Sequence, residues 1–327
     1  MADNSVSITS SYVGEAAAEF VKPAVLSANS LINGYVTVAE NVKKSLKIQR
    51  ISGTDIQAYV CEPWSNTDDA IVLDEVELVP LPLMFPMELC KSDYRDTWMA
   101  LNTGKGFANQ MVPPEFVKGL LDYASSRNEE AVEKNIWQGN FNSATSATTG
   151  TGVVTNFDGI IRKCVAGTAS MGGEHTYVGP MTGDADNTTG VITLLTQLLG
   201  DAPDAIQGDI DTKIFMSRKT LALYQLAMAG VVSSSGGYSP TFVGESRPTQ
   251  YLGYDIIVPQ GFPNDTLLIG QIGNLWFGTD MTSDILQASV VDMTPTTNED
   301  LLRIKYVYTG GCQVGWLGDL GIVRRSS

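Results

Sequence analysis

The stretch 113-PPEFVKGLLDYASSRNEEAVEKNIWQGN-140 is the longest helix signal in the chain. Pro113 and Pro114 suit a first helical turn, where the missing N–H is no loss. Phe116, Leu120, Tyr123, Ala124, Ala131, Val132 and Ile136 fall on or near one stripe, and Glu129, Glu130 and Glu133 crowd another side. Gly139 supplies a stop. The pattern predicts a helix over 113–138 that, at about 1.5 Å per residue, spans roughly 35–40 Å. No obvious catalytic residue accompanies it.

Composition frames what the helix belongs to. The chain has 327 residues, 43% hydrophobic and 17% charged, which is globular rather than disordered, and 32 glycines suit many turns. A formal net charge of −15 repels phosphate, so nucleic-acid binding by the whole surface is not expected. Cys61, Cys90, Cys164 and Cys312 form no Cys-x-x-Cys pair, which fits reduced, buried thiols better than a disulfide framework or a zinc site. The start, MADNSVSITSSYVGEAAAEF, lacks the basic and apolar blocks of a signal peptide, and no run of 18 apolar residues exists to span a membrane.

Outward from the helix, residues 27-SANSLINGYVTVAENVKKSLKIQR-50 carry weak helical character, with Lys43, Lys44, Lys47 and Arg50 suited to a helix C-terminal end. The expectation for 1–50 is an extended arm with short helices. Residues 51-ISGTDIQAYVCEPW-64 and 70-AIVLDEVELVPLPLMFPMELC-90 flank the polar loop 65-SNTDD-69 and predict a hairpin, whose apolar surface is too large for two strands to cover alone. Past the helix, VVTNFDGII (153–161) reads as strand-like and is followed by a small-residue loop through residue 190. Residues 190–280 predict an α/β unit. It has a helix in GVITLLTQLLGD, a buried strand in TKIFMS, and a second helix capped by Ser217 and stopped at Gly230. Strands follow in YLGYDIIVPQGFP, TLLIGQIGNLWFGTD, ILQASVVDM and the tail LLRIKYVYTGGCQVGWLGDLGIVRR.

Motifs that would carry chemistry fail in detail. LNTGKGF (101–107) places Gly104, Lys105 and Gly106 without the spacing of a phosphate loop, and Asn109 stands where a dinucleotide fingerprint needs its third glycine. GDADNTTG offers Asp184 and Asp186 at calcium-loop spacing, but Thr188, Thr189 and Leu195 occupy the remaining ligand and turn positions. Asp280 and Asp284 have no His or third carboxylate close in sequence. The one histidine, His175, lies in the polar loop MGGEHTYVG, and no Gly-x-Ser-x-Gly elbow exists. No catalytic, cofactor-binding or metal-binding residue is therefore assigned, and no cofactor is expected.

The order of elements, an arm, a long hairpin, a long helix, an α/β unit and a strand-rich tail, resembles the HK97-type fold of tailed-bacteriophage major capsid proteins. Four stretches carry the resemblance. VELVPLPLMFPMELCKSDYRDTW (76–98) is similar to the return strand of that family's extended loop, and EFVKGLLDYASSRNEEAVEKNIWQGN (115–140) to its spine helix. TKIFMSRKTLALYQLAMAG (212–230) is similar to the strand and helix of its axial domain, and YLGYDIIVPQGFPNDTLLIGQIGNLWFGTD (251–280) to its axial strand pair.

The resemblance implies an α+β chain with an N-terminal arm (1–50) and an extended hairpin loop (51–90). It implies a peripheral domain (91–189) that contains the spine helix, an α/β axial domain (190–285), and C-terminal strands returning to the peripheral domain (286–327). It implies a non-enzymatic subunit that self-assembles through hexamers and pentamers into an icosahedral virion shell around double-stranded DNA, made in the host cytoplasm. Portal protein, and scaffold or cement proteins, would be partners; the packaged DNA would be met without sequence-specific contacts, and no membrane is involved. Residues 1–50 leave little length for an internal scaffolding segment, and Lys91 and Lys105 lie near the hairpin base, so covalent crosslinking is not carried over. Two other readings stay open: an encapsulin-like compartment, which shares the fold, and an α/β enzyme with a scattered site centred on His175.

Overall fold

The long helix runs over Pro114–Gln138, 25 residues, and ends where glycine is sterically required. A Cβ on Gly139 would lie 2.2 Å from the Phe157 carbonyl oxygen, and one on Gly159 would lie 2.6 Å from the Gly139 nitrogen. The two glycines bring the helix end against the chain that returns to it, joined by a hydrogen bond from Gly159 N–H to the Gly139 carbonyl (2.9 Å).

A computed structural model describes residues 28–53, 71–90, 114–141, 156–170, 177–178, 188–200, 202–234, 249–264, 266–280, 288–293, 299 and 301–324. In chain order the elements are α1 (Asn29–Ile32), β1 (Thr37–Ala39), β2 (Leu46–Gly53), β3 (Ile71–Leu78), β4 (Leu81–Cys90), α2 (Pro114–Gln138), α3 (Ile160–Ser170), β5 (Tyr177–Val178) and α4 (Thr188–Gly200). They continue with β6 (Thr212–Met216), α5 (Arg218–Ser234), β7 (Gln250–Tyr251), β8 (Tyr254–Ile257), β9 (Thr266–Gln271), β10 (Leu275–Gly278), β11 (Ala288–Asp292), β12 (Leu301–Val314) and β13 (Leu320–Arg324).

Among the described residues these strands form three sheets. One is built on β12, whose residues Leu301–Gly310 pair antiparallel with β4 while Leu302–Tyr306 pair with β11 and Gly311–Val314 with β10. β1 adds to it in parallel through β10. The second sheet runs β5-β13-β9-β6-β8-β7, and the third is the ribbon β2–β3.

Alternation along the second sheet explains how one sheet serves two cores. Ile214 and Met216 of β6, Leu267 and Ile269 of β9 and Val323 of β13 pack with Val191, Leu194, Leu195 and Leu198 of α4 and with Leu221 and Tyr224 of α5. The residues between them, Phe215, Leu268 and Ile322, belong to the other core, with Ala124, Val132, Ile136 and Trp137 of α2 and Leu302, Ile304, Tyr306 and Tyr308 of β12. A strand buried on both faces has no polar positions to spare, hence the unbroken runs IFM and LLI. Each such side chain contributes roughly 1.5–3 kcal/mol on burial. Trp137 sits at the meeting point, 5.4 Å from the Phe215 ring and 5.2 Å from the Phe262 ring.

Local expectations fared unevenly. Ser217 caps α5 as predicted, its Oγ accepting from Thr220 N–H at 3.1 Å. Gly230 does not stop that helix, which continues to Ser234. Ile160 and Ile161 open helix α3 instead of ending a strand, and α3 takes up residues predicted as loop. Lys47 and Arg50 lie on strand β2 and not at a helix end, because Leu46 and Ile48 alternate with polar neighbours and find partners in Leu78 and Val76. The ribbon thus begins at Leu46, and β4 leaves it to join β12. Among the described residues no helix is long and apolar enough to cross a membrane.

Candidate assembly interface

The β2–β3 ribbon separates its residues strictly by face. Leu46/Leu78, Ile48/Val76 and Arg50/Asp74 are opposed pairs on one face. That face is turned to the body: Leu78 is fully buried, and the Arg50 guanidinium lies 3.7 Å from the centroid of the Trp316 ring. Gln313 Nε2 donates to the Glu77 carbonyl at 2.9 Å, and a Cβ on Gly278 would lie 2.7 Å from Leu78 Cδ2, so the root of the ribbon is clamped closely to β10 and β12.

The opposite face carries Lys47, Gln49, Ile51, Leu73, Glu75 and Glu77. Ile51 and Leu73 sit directly across from each other and are 73% and 70% exposed. Lys47 pairs with Glu75, and Arg50 pairs with Asp74. The Arg50 hydrogen bond, followed by the Glu75 amide, holds the Asp74 carboxyl below the usual carboxylate range, while Glu75 raises the Lys47 ammonium above its ordinary value. Lys47, Glu75 and Asp74 are half-exposed, so their pairs orient the ribbon more than they stabilise it, whereas the Arg50 side chain is largely covered.

A second exposed apolar pair lies on the β4–β12 ladder. Met84 and Val307 face each other across the strands, 62% and 54% exposed, with Pro82 and Pro86 on the same face. Lys305 opposes Pro86, and Arg303 opposes Glu88, its Nε 3.3 Å from Oε2. The other side of this ladder is core, where Phe85 meets Tyr306 edge to face at 6.2 Å.

The most enclosed polar group belongs to α2. Glu133, which crowds the side of the helix away from the apolar stripe together with Glu129 and Glu130, is 0% exposed. Its Oε2 accepts from Ser30 N–H at 3.0 Å, and its Oε1 accepts from Ser30 Oγ–H at 2.7 Å and from Gly261 N–H at 3.3 Å. Trp137 Nε1–H donates to Ser30 Oγ at 2.7 Å, and Gln138 Nε2–H to the Gly261 carbonyl at 2.6 Å. Burial raises the Glu133 carboxyl above its ordinary value; the Ser30, Gly261 and Gln260 donors pull the other way and do not prevail. The amphipathic stripe could not reveal this, because the donors come from segments distant in sequence.

No catalytic constellation assembles among the described residues. His175, Lys91, Lys105, Gly104, Gly106, Asp184, Asp186, Asp284 and Cys61 lie outside them. Asp280 is described, and its amide donates to Thr309 Oγ1 at 2.8 Å. No cluster of three His, Cys, Asp or Glu that could hold a metal occurs among the described residues. Cys164 and Cys312 are buried free thiols, and burial pushes Cys164 up to about 12 and Cys312 further still, far from a reactive thiolate.

The sequence matches no protein-family model and no curated protein. Solved structures do match. The capsid of the native GTA particle aligns over 96% of this chain and 96% of its own at 14% identity, with a TM-score of 0.52. A chain from Gordonia phage Cozz aligns over 94% and 90% at 12% identity, TM-score 0.56. A chain of the satellite phage P4 procapsid, solved with its size determination protein, aligns over 91% and 97% at 13% identity, TM-score 0.50.

The fold is that of a tailed-phage major capsid protein.

The identities of 12–14% lie far below what sequence comparison registers, while the overall fold still aligns.

Proposed function

We propose that the chain is the major capsid protein of a tailed bacteriophage, a structural subunit that assembles with copies of itself into the icosahedral shell of the virion around double-stranded DNA. The observation that carries this reading is an end-to-end likeness to capsid chains, together with a ribbon whose Ile51–Leu73 face the subunit itself leaves bare. A two-stranded ribbon is marginal alone, and exposed apolar pairs suit burial against another copy. Obligate interfaces of this kind bury about 2,000 Å² or more, and stability is then inseparable from assembly.

The same reading divides the chain into arm (1–50), extended loop (51–90), peripheral domain (91–189), axial domain (190–285) and returning C-terminal strands (286–327). Hexamers and pentamers tile the shell, a portal occupies one vertex, and scaffold or cement proteins are further partners. The subunit is made in host cytoplasm and carries no enzymatic activity. The net charge of −15 fits a wall that meets packaged DNA without sequence-specific contacts and does not grip it. Electron microscopy of the purified full-length chain tests this: closed icosahedral shells are expected, and a preparation of monomers at high concentration overturns it. Shells holding enzyme cargo in place of DNA would instead mark an encapsulin-like compartment.

A further inference from the structure

Two side chains of α2, one helical turn apart, each touch the same two remote segments. Glu133 accepts from the amide and the hydroxyl of Ser30 on the arm, and from the Gly261 amide in the 259–264 loop between β8 and β9. Trp137 donates from Nε1 to Ser30 Oγ, and its ring lies 5.2 Å from that of Phe262 in the same loop. Both side chains are fully buried. The arm and the loop are thus docked through shared groups.

The fit leaves no slack. A Cβ on Gly261 would stand 2.4 Å from the Glu133 carbonyl oxygen, so the loop reaches the helix only as glycine. The Gln260 amide also donates to Glu133, and Gln138 Nε2–H donates to the Gly261 carbonyl at 2.6 Å. On the arm, the Ser30 hydroxyl accepts from Trp137 and donates to Glu133, so a single group completes both contacts.

Sharing makes the two dockings interdependent. Each segment helps to enclose the carboxyl and the indole that the other uses, and a hydrogen bond is worth more in a dry, low-dielectric setting than in one open to water. If the arm lifts, the Glu133 oxygens lose the Ser30 donors and the Trp137 indole loses the Ser30 oxygen. The loop's bonds to Glu133 then compete with solvent, and Phe262 rests on a ring that has lost its anchor. If the loop lifts, the same losses run the other way. Because the loop joins β8 to β9, its loosening carries into the second sheet.

We propose that Ser30, Glu133 and Trp137 form a two-way clasp that couples the N-terminal arm to the β8–β9 loop, so that displacing either one loosens the other. The clasp is a route by which a contact that draws the arm away reaches the second sheet. It operates within the single subunit and does not rest on the shell reading.

Hydrogen exchange of the full-length chain at one pH, expressed as protection factors for 28–36, for 260–262 and for the α4 segment 191–198, tests it. Ser30→Ala alters the arm side, and Gln138→Ala, at an exposed position, alters the loop side. Ser30→Ala should lower protection of 28–36 by about tenfold or more, because it leaves the buried indole donor without its acceptor. It should also lower protection of 260–262 by about threefold or more, and Gln138→Ala should lower both segments in turn, while 191–198 stays at the wild-type value. The double variant should lose less than the product of the single effects, since the second change strikes a clasp already open. Effects confined to the arm in Ser30→Ala and to the loop in Gln138→Ala, single effects that simply multiply in the double variant, or a fall shared equally by 191–198 would each overturn the coupling. Should Ser30→Ala not fold, Gln138→Ala still decides: arm protection that falls with the loop's supports the clasp, and an unchanged arm overturns it.

Discussion

The guanidinium of Arg50 lies over Trp316, its Cζ 3.7 Å from the ring centroid, and also pairs with Asp74. One residue of the ribbon is thereby fixed to the segment that follows β12. The contact restrains the angle between ribbon and body, while Ile51 and Leu73 on the opposite face stay exposed.

Trp316→Ala should release that angle. A cation–π contact of this kind is worth about 0.5–2 kcal/mol, so the loss of global stability is small. Hydrogen exchange of β2 and β3 should rise while α4 and β6 remain protected. An unchanged ribbon would mean that the Gln313–Glu77 contact and the buried Leu78 suffice to hold it.

Ile51→Asp and Leu73→Asp should behave differently. Both side chains are exposed in the subunit, so each substitution should change subunit stability by no more than about 0.5 kcal/mol. Particle yield by sucrose-gradient sedimentation should nevertheless fall sharply, because a charge would be buried against a neighbour. Normal particle yield from both variants would remove this face from the interface.

Gly139→Ala should be costly without touching any surface. The added Cβ would meet the Phe157 and Asn135 carbonyl oxygens at 2.2 and 2.5 Å, both backbone atoms unable to step aside. A loss of about 1–3 kcal/mol in chemical denaturation is expected, typical of overpacking at a tight site. A loss below about 0.5 kcal/mol would mean that the α2–α3 junction yields easily.

Cys164 and Cys312 should resist alkylation at pH 8 and become reactive only on unfolding, since burial keeps both thiols protonated far above that pH. Peptide mass mapping after iodoacetamide treatment, native against denatured, reads this directly. Labelling of either in the native chain would show that the core around β12 opens.

Much of the fold was legible because it follows from local rules. The length of α2, the Ser217 cap and the apolar runs of β6 and β9 all announce themselves in short windows. What failed were positions decided by distant partners. Lys47 and Arg50 read as a helix end because nothing nearby in sequence names Glu75, Asp74 or Trp316 as their partners. The burial of Glu133 could not be read locally because its donors lie 103 and 128 residues away. Gly230 read as a stop because glycine usually is one, yet α5 continues past it to Ser234. The exposed pairs Ile51–Leu73 and Met84–Val307 became visible only once strand register placed each residue opposite its mate.

The central claim is that this subunit completes its burial only among copies of itself, and a particle reconstruction at side-chain resolution tests it most directly. The prediction is a closed shell in which Ile51 and Leu73 of every ribbon are covered by a neighbouring copy. A stable, soluble monomer, or a shell in which that pair still faces solvent, would contradict it.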